Sequence, residues 1–139
     1  MTLSLSGIRV LDMGRIVAAP WCAQVLADLG ADVIKVERPG RGDDLRTYGP
    51  SFAVDADGNP TPESGHYLCS NRNKRSITID ISQPQGRDLV RSLAKHCDVL
   101  IENYKVGDLA RYGLDYPSLK ALNPDLIYCS VTGYGQSGP

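Results

Sequence analysis

The run from Ile8 to Glu37 constrains the fold more than any other part of this sequence. Ile8-Arg9-Val10-Leu11-Asp12 reads as a short buried strand, and Ala31-Asp32-Val33-Ile34-Lys35-Val36-Glu37 as a second. Between them Pro20 opens a helical run, Trp21 to Leu29, which Gly30 closes. Proline is tolerated in a first helical turn and glycine is favoured just past the last. Trp21, Val25 and Leu29, or else Cys22, Val25, Leu26 and Leu29, supply its apolar stripe. A strand–helix–strand unit of this length makes a right-handed crossover between parallel neighbours. The sheet is therefore expected to be parallel.

From Arg38 to Glu63 the periodicity vanishes. Pro39, Gly40, Gly42, Gly49, Pro50, Gly58, Pro60 and Pro62 punctuate a polar segment that carries Arg38, Arg41 and Arg46. It reads as a long loop, either a lid or binding segment or a disordered stretch. Residues 70–81 then run from a basic loop into an alternating strand. Arg72, Lys74 and Arg75, interleaved with Asn71 and Asn73, offer an anion donors of different reach, or else form a solvated surface loop. Ile77, Ile79 and Ile81 at period two turn one face into a core.

Ser82-Gln83-Pro84-Gln85 has capping-box spacing and starts a helix to about Lys95, with Leu89, Val90, Leu93 and Ala94 as its buried stripe. His96 beyond it is a surface or cap residue. Residues 98–103 form the next strand and 108–112 a brief helix. Asp115 caps a second short helix with Pro117 in its first turn; Leu119 and Leu122 face inward, and Asn123-Pro124 ends it. Residues 126–131 are the last strand, before the glycine-rich tail 132–139. The expected fold is α/β: a Rossmann-like parallel sheet with flanking helices, its strand order and helix cover incomplete at the C-terminus.

Length limits the chain to one domain, residues 1–139, and 42% apolar with 22% charged residues is globular composition. A net charge of −1 excludes nucleic-acid binding through bulk electrostatics, so anion recognition must come from local clusters. Cys22, Cys69, Cys97 and Cys129 form no CxxC pair, and His66 and His96 fit no zinc spacing, so no metal site is expected. Free thiols suit a reducing compartment. The first seven residues lack a basic n-region and an apolar run, and nothing approaches a membrane span, so the chain reads as cytoplasmic.

Gly133-x-Gly135-x-x-Gly138 matches a dinucleotide fingerprint only formally, because that motif belongs after the first strand and must open a helix. The loop after the first strand, 14–20, lacks the glycine triplet, and no P-loop lysine motif exists. Glu37 stands where a nicotinamide protein would hold ribose, but the missing glycines argue against NAD. What remains is a set of cations at strand ends: Arg38 after the second, Arg72, Lys74 and Arg75 before the third, Lys105 and Arg111 after the fourth. The carboxyl ends of an open parallel sheet line one crevice, which Val17, Ala18, Arg38, Ser82, Asn103, Tyr104 and Lys105 are placed to face. A phosphorylated ligand fits it. Arg38 and Arg111 offer paired contacts to phosphate, Asn103 can read an adenine or amide, and Tyr104 offers a ring face. Singly, each arginine reads better as a weak surface ion pair; only joint placement lifts the functional reading.

Asp12-Met13, Ala19-Pro20-Trp21-Cys22, the run from Leu26 to Gly40, Gly42-Asp43, Asn73-Lys74-Arg75-Ser76, the run from Asp98 to Asn103, Leu122-Asn123-Pro124 and Thr132-Gly133-Tyr134-Gly135 together resemble the N-terminal part of the class III CoA-transferases. That family includes formyl-CoA and carnitine CoA-transferases and α-methylacyl-CoA racemases. The resemblance implies a CoA-binding Rossmann-like domain in an interlocked homodimer, acting on an acyl-CoA and a carboxylic acid with no permanently bound cofactor. Carried across by motif, Val17 and Ala18 would line the CoA site and Arg38 would meet the adenosine phosphates. Ile79, Asp80, Ile81 and Ser82, with Asn103, Tyr104, Lys105 and Arg111, would complete the pocket. The family's transferases use an aspartate nucleophile, and its racemases a histidine and an aspartate, both expected beyond the Gly-Tyr-Gly-Gln segment. Asp12, Asp28, Asp43 and Asp80 are left with strand-end, helix and loop roles. The resemblance leaves open a racemase or a non-catalytic CoA-binding module, and the open sheet edge predicts aggregation of the isolated chain.

Overall fold

Val10 and Leu11 are neighbours on one strand, point to opposite sides, and are both fully buried. Such a strand belongs to a sheet covered on both faces. The computed structural model describes residues 2–137; Gly138, the last glycine of the formal fingerprint, and Pro139 lie outside the described residues. The chain runs β1 (Arg9–Asp12), α1 (Ala18–Asp28), β2 (Asp32–Glu37), β3 (Phe52–Val54), β4 (Pro60–Ser64), α2 (Gly65–Asn71), β5 (Lys74–Thr78), α3 (Pro84–Ala94), β6 (Val99–Glu102), α4 (Tyr116–Lys120) and β7 (Ile127–Ser130). Short 3-10 turns stand at Asp44–Thr47 and Ala110–Tyr112. Five strands form one sheet in the order β5-β2-β1-β6-β7, every pair parallel. The α/β class and the parallel sheet expected from the sequence are both observed.

Each face has its own core. Val10, Val33 and Ile101 pack against Ala19, Ala23 and Ala27 of α1. On the other face Leu11, Met13 and Leu100 pack against Val90 and Ala94 of α3, with Leu114 and Leu119. Each fully buried Leu or Val contributes about 1.5–3 kcal/mol. The expected α1 stripe is inverted: Trp21, Val25 and Leu29 are 59%, 47% and 45% exposed. The buried ridge is alanine at spacing four, which brings the helix axis close to the sheet and leaves the large side chains outside.

The segment 38–63 is not a structureless loop. It holds the 3-10 turn and the antiparallel β3–β4 hairpin, closed by Asp55, whose carboxylate accepts the Asp57 and Asn59 amides. Most of the hairpin is exposed, so no apolar alternation announces it. Helix α2 also went unread; Ser64 caps it by accepting the Tyr67 amide.

Elsewhere the expected periodicities fail where elements lie at the surface. β5 is an edge strand, so Ile77 is 40% exposed while Ile79 is buried. The capping box does not form: Gln83 precedes α3 without a side-chain cap, and Ser82 Oγ donates to Asp80 Oδ1 instead. Leu89 and Leu122 face outward, the 108–112 helix shrinks to Ala110–Tyr112, and the Asp115 carboxylate caps no α4 amide, although its backbone carbonyl accepts the Leu119 N–H. All four cysteines are unpaired, and no described helix is long and apolar enough to cross a membrane.

Candidate functional site

From β1 the chain steps outward to β2 and β5, then returns past β1 to β6 and β7. The loops leaving β1 and β6 at their carboxyl ends therefore diverge from one switch point, where open parallel sheets form a crevice. Gly14 permits the tight exit: a Cβ there would stand 2.5 Å from Ala19 Cβ and 2.8 Å from Asp12 Oδ1. Ile16 sits at φ 67°, a left-handed conformation that costs a β-branched residue about 1–3 kcal/mol. Two side chains hold it there. Asp43 Oδ1 accepts the Ile16 amide at 2.9 Å, and Asn103 clasps the Arg15 peptide on both sides, at 2.8 and 2.9 Å.

Beneath this loop lies a buried ionic network. Lys35 Nζ is 2.8 Å from Asp43 and donates to the Gly14 carbonyl, and Lys74 Nζ contacts Asp12, Asn71 and the Pro20 carbonyl at 2.6–2.9 Å. Burial lowers the Lys74 pKa, with the Asp12 charge opposing. Glu37 takes a bidentate Arg46 fork, the Tyr67 and Ser76 hydroxyls and the Asp43 amide. Burial raises the Glu37 pKa, but these donors outweigh it and hold the carboxyl at about 2. The network fixes the loops that carry the site.

Two adjoining cavities open at this edge, of about 270 and 320 Å3, both walled by Arg15, Tyr104 and Asp108. The first adds Arg38, Asp80, Ile81, Ser82, Arg111 and Tyr112; the second adds Ile16, Asn103 and Lys105. The structure thus brings Arg38, Asp80, Ile81, Ser82, Tyr104 and Arg111 around one space, with Asn103 and Lys105 beside it. Arg111 pairs with Asp108 at 2.8 Å, and the Arg15 guanidinium lies 5.8 Å from the Tyr104 ring centroid. Burial pushes the Tyr104 phenol up, and the nearby Arg15 and Arg38 charges partly offset it. Such a space, cationic with an aromatic wall, suits a phosphorylated ligand with a stacking ring.

The other expected residues lie apart. Ile79 is in the core under Arg38. Val17 and Ala18 are exposed at the start of α1, and Val17 lines a separate 400 Å3 cavity with Trp21, Gln24, His66, Cys69, Ser70 and Arg72. The Asn103 amide, expected to read a ligand, is engaged with Arg15. Arg72, Lys74 and Arg75 form no anion loop: Arg72 pairs with Asp28 and Arg75 with Asp32, both at 2.6 Å, and Lys74 is buried. Arg72 precedes β5 and Lys74 and Arg75 open it, which in a parallel sheet places their backbone toward the amino edge. The sequence reading missed Arg15. It is the lone cation between Met13 and Pro20, directly after the first strand, and that position was its signal.

The profile of CoA-transferase family III matches residues 5–139. The chain belongs to CoA-transferase family III. It is 56% identical over 135 residues to the succinate–glutarate CoA-transferase of Agrobacterium fabrum, covering 97% of this chain and 34% of that protein. It is 49% identical over 135 residues to the human succinyl-CoA:glutarate CoA-transferase, covering 97% and 29%. A crystal structure of a CAIB/BAIF family protein from Brucella suis superposes with TM-score 0.91 at 52% identity, over 100% of this chain and 36% of that one. The chain therefore spans about a third of the length of these family III proteins.

Proposed function

We propose that this chain is the CoA-binding part of an enzyme that moves CoA between an acyl-CoA and a carboxylic acid. The carrying observation is the carboxyl-edge cavity in which Arg38, Arg111 and Tyr104 converge, in a chain of family III. Arg38 and Arg111 take phosphate oxygens of CoA, Tyr104 gives a face to the adenine, and the 79–82 backbone with Lys105 borders the nucleotide. Val17 and Ala18 line the path of the thioester arm, and Asn103 holds the loop that shapes it. The relatives' names point to a small dicarboxylate as acyl group and acceptor.

In the reaction an aspartate carboxylate attacks the acyl-CoA carbonyl and expels CoA thiolate, leaving a mixed anhydride. The thiolate attacks the aspartyl carbonyl, releasing the first carboxylate and forming an aspartyl-CoA thioester. The acceptor carboxylate repeats the two steps in reverse and leaves as its CoA thioester. The nucleophile belongs to the part of the relatives' length that this chain does not span, and this part alone does not turn over. The working enzyme is a cytoplasmic, interlocked homodimer.

Calorimetric titration with CoA and dephospho-CoA tests the binding half of the reading. CoA is expected to bind more tightly; equal affinity would remove the 3′-phosphate from the contacts of Arg38 and Arg111, and no binding of either would overturn the reading. Transfer from succinyl-CoA to glutarate by the full-length enzyme tests the reaction.

A further inference from the structure

Asp44 opens a 3-10 turn that it does not cap, because Asp43 accepts the Leu45 amide. Its carboxylate is committed elsewhere. Oδ2 meets Arg15 Nη2 at 2.6 Å and Oδ1 meets Arg38 Nη2 at 2.5 Å, with Arg41 Nε 3.4 Å away. Arg15 leaves β1 and Arg38 leaves β2, so one carboxylate bridges two strand ends at the wall of the cavity where both arginines stand. The second observation is Arg38 Nε: it is buried, yet finds no acceptor among the described residues. Two forks converge on one anionic group, and one N–H is left over.

We infer that Asp44 is a displaceable internal counter-ion, occupying in the empty site the place of a ligand phosphate that Arg15 and Arg38 together bind. Arg15 is thereby a phosphate-binding residue of this site. The inference deepens the proposed function and rests on its CoA-binding reading. A phosphate group offers these arginines more acceptor oxygens than a carboxylate does, and a terminal phosphate also carries more charge, so an acceptor becomes available to the unpartnered Arg38 Nε. The exchange is inexpensive, because the side chains of Arg15, Arg38 and Asp44 are 35%, 42% and 23% exposed, and partly exposed pairs are weak. Displacement leaves Asp44 beside two arginines that now carry the phosphate, so it still sets the local charge. The counter-ion also keeps two like charges from splaying the loops while the site is empty.

The test is CoA affinity by calorimetry for the wild type, Asp44→Asn and Arg15→Lys, each checked by thermal melting. Asp44→Asn is expected to bind CoA about three- to tenfold more tightly, since the competing charge is gone. Arg15→Lys keeps the charge but loses the fork, and is expected to bind about five- to tenfold more weakly even if the Asp44 variant does not fold. Unchanged or weaker binding by folded Asp44→Asn, or wild-type binding by Arg15→Lys, would overturn the inference while leaving CoA binding intact. A wild type that binds no CoA overturns the inference together with the reading beneath it. Dephospho-CoA then assigns the phosphate: an Arg15→Lys loss that vanishes with it places the arginine pair on the 3′-phosphate, and a loss that persists places it on the pyrophosphate.

Discussion

Asn103 satisfies both polar groups of the Arg15 peptide: its Oδ1 accepts the Arg15 N–H at 2.8 Å and its Nδ2 donates to the Arg15 carbonyl at 2.9 Å. The two residues lie 88 positions apart and join the loops on either side of the switch point. Asn103→Ala leaves both groups without partners, and each part-buried orphan costs about 1–3 kcal/mol. Asn103→Asp keeps the acceptor but sets a carboxylate against the carbonyl. Both variants are expected to melt lower and bind CoA more weakly, with Asp no better than Ala. Denaturant titration and calorimetry check this, and an Asn103→Asp variant of wild-type stability would show that the clasp is incidental.

Glu37 is predicted to make acid stability depend on one carboxylate. Its pKa falls from 4.5 to about 2, so the stability it contributes is complete above 4.5 and is lost as pH drops toward 2. Glu37→Gln removes the charge from the Arg46 fork in a side chain only 2% exposed. Breaking a buried pair costs about 3–5 kcal/mol. Melts between pH 7 and 2.5 should show the variant less stable at neutral pH and less sensitive to acid, so that the two curves converge. Parallel curves would exclude Glu37 as the source.

The sequence offers Lys74 either as an anion donor or as a solvated surface charge, and the structure, which buries it against Asp12, makes a different prediction. Lys74→Met strips the fully buried Asp12 of its 2.8 Å partner and should cost about 3–5 kcal/mol. Adding Asp12→Leu should recover part of that loss, because no charge is then left unpaired. Additive losses would mean that the two residues are uncoupled.

Gly86 lies inside α3, where alanine ordinarily stabilises by about 1 kcal/mol. Here a Cβ would stand 2.0 Å from the Asp80 carbonyl oxygen. Gly86→Ala is therefore expected to destabilise by about 1–3 kcal/mol and to shift the 80–82 loop that walls the cavity. A stabilised variant would show that the helix and loop separate freely.

These cases show what a sequence reader can and cannot see. β1 and β6 are buried on both faces, β2 keeps Val33, Ile34 and Val36 around its buried Lys35, and Pro20, Gly30 and Pro84 mark helix ends, so the sheet was readable. The β3–β4 hairpin was not, because most of its side chains face solvent. Arg38, Ser82, Tyr104 and Arg111 line one cavity because they follow strands. Arg72, just before β5, and Arg75, at its start, belong to the amino edge of the parallel sheet, away from the residues that follow strands, and pair there with Asp28 and Asp32. Asp44 and the Asn103 clasp could not be read locally, since each is defined by partners on other strands.

The exposed face of α1 carries the last prediction. Trp21, Val25 and Leu29 recur at spacing four and are 59%, 47% and 45% exposed, with Leu68 of α2 at 44%. Ile127 on edge strand β7 adds another apolar group at 64%. Contiguous apolar surface of this kind and an unpaired strand edge both drive association. The isolated chain is expected to self-associate with rising concentration and to bind a hydrophobic dye. Val25→Lys with Leu29→Glu should reduce both while leaving the melting temperature close to wild type, because neither side chain is part of the buried core. Sedimentation velocity separates the sources: association undiminished in the double variant places it at β7, and a monodisperse wild type with a sharp reversible melt refutes the prediction.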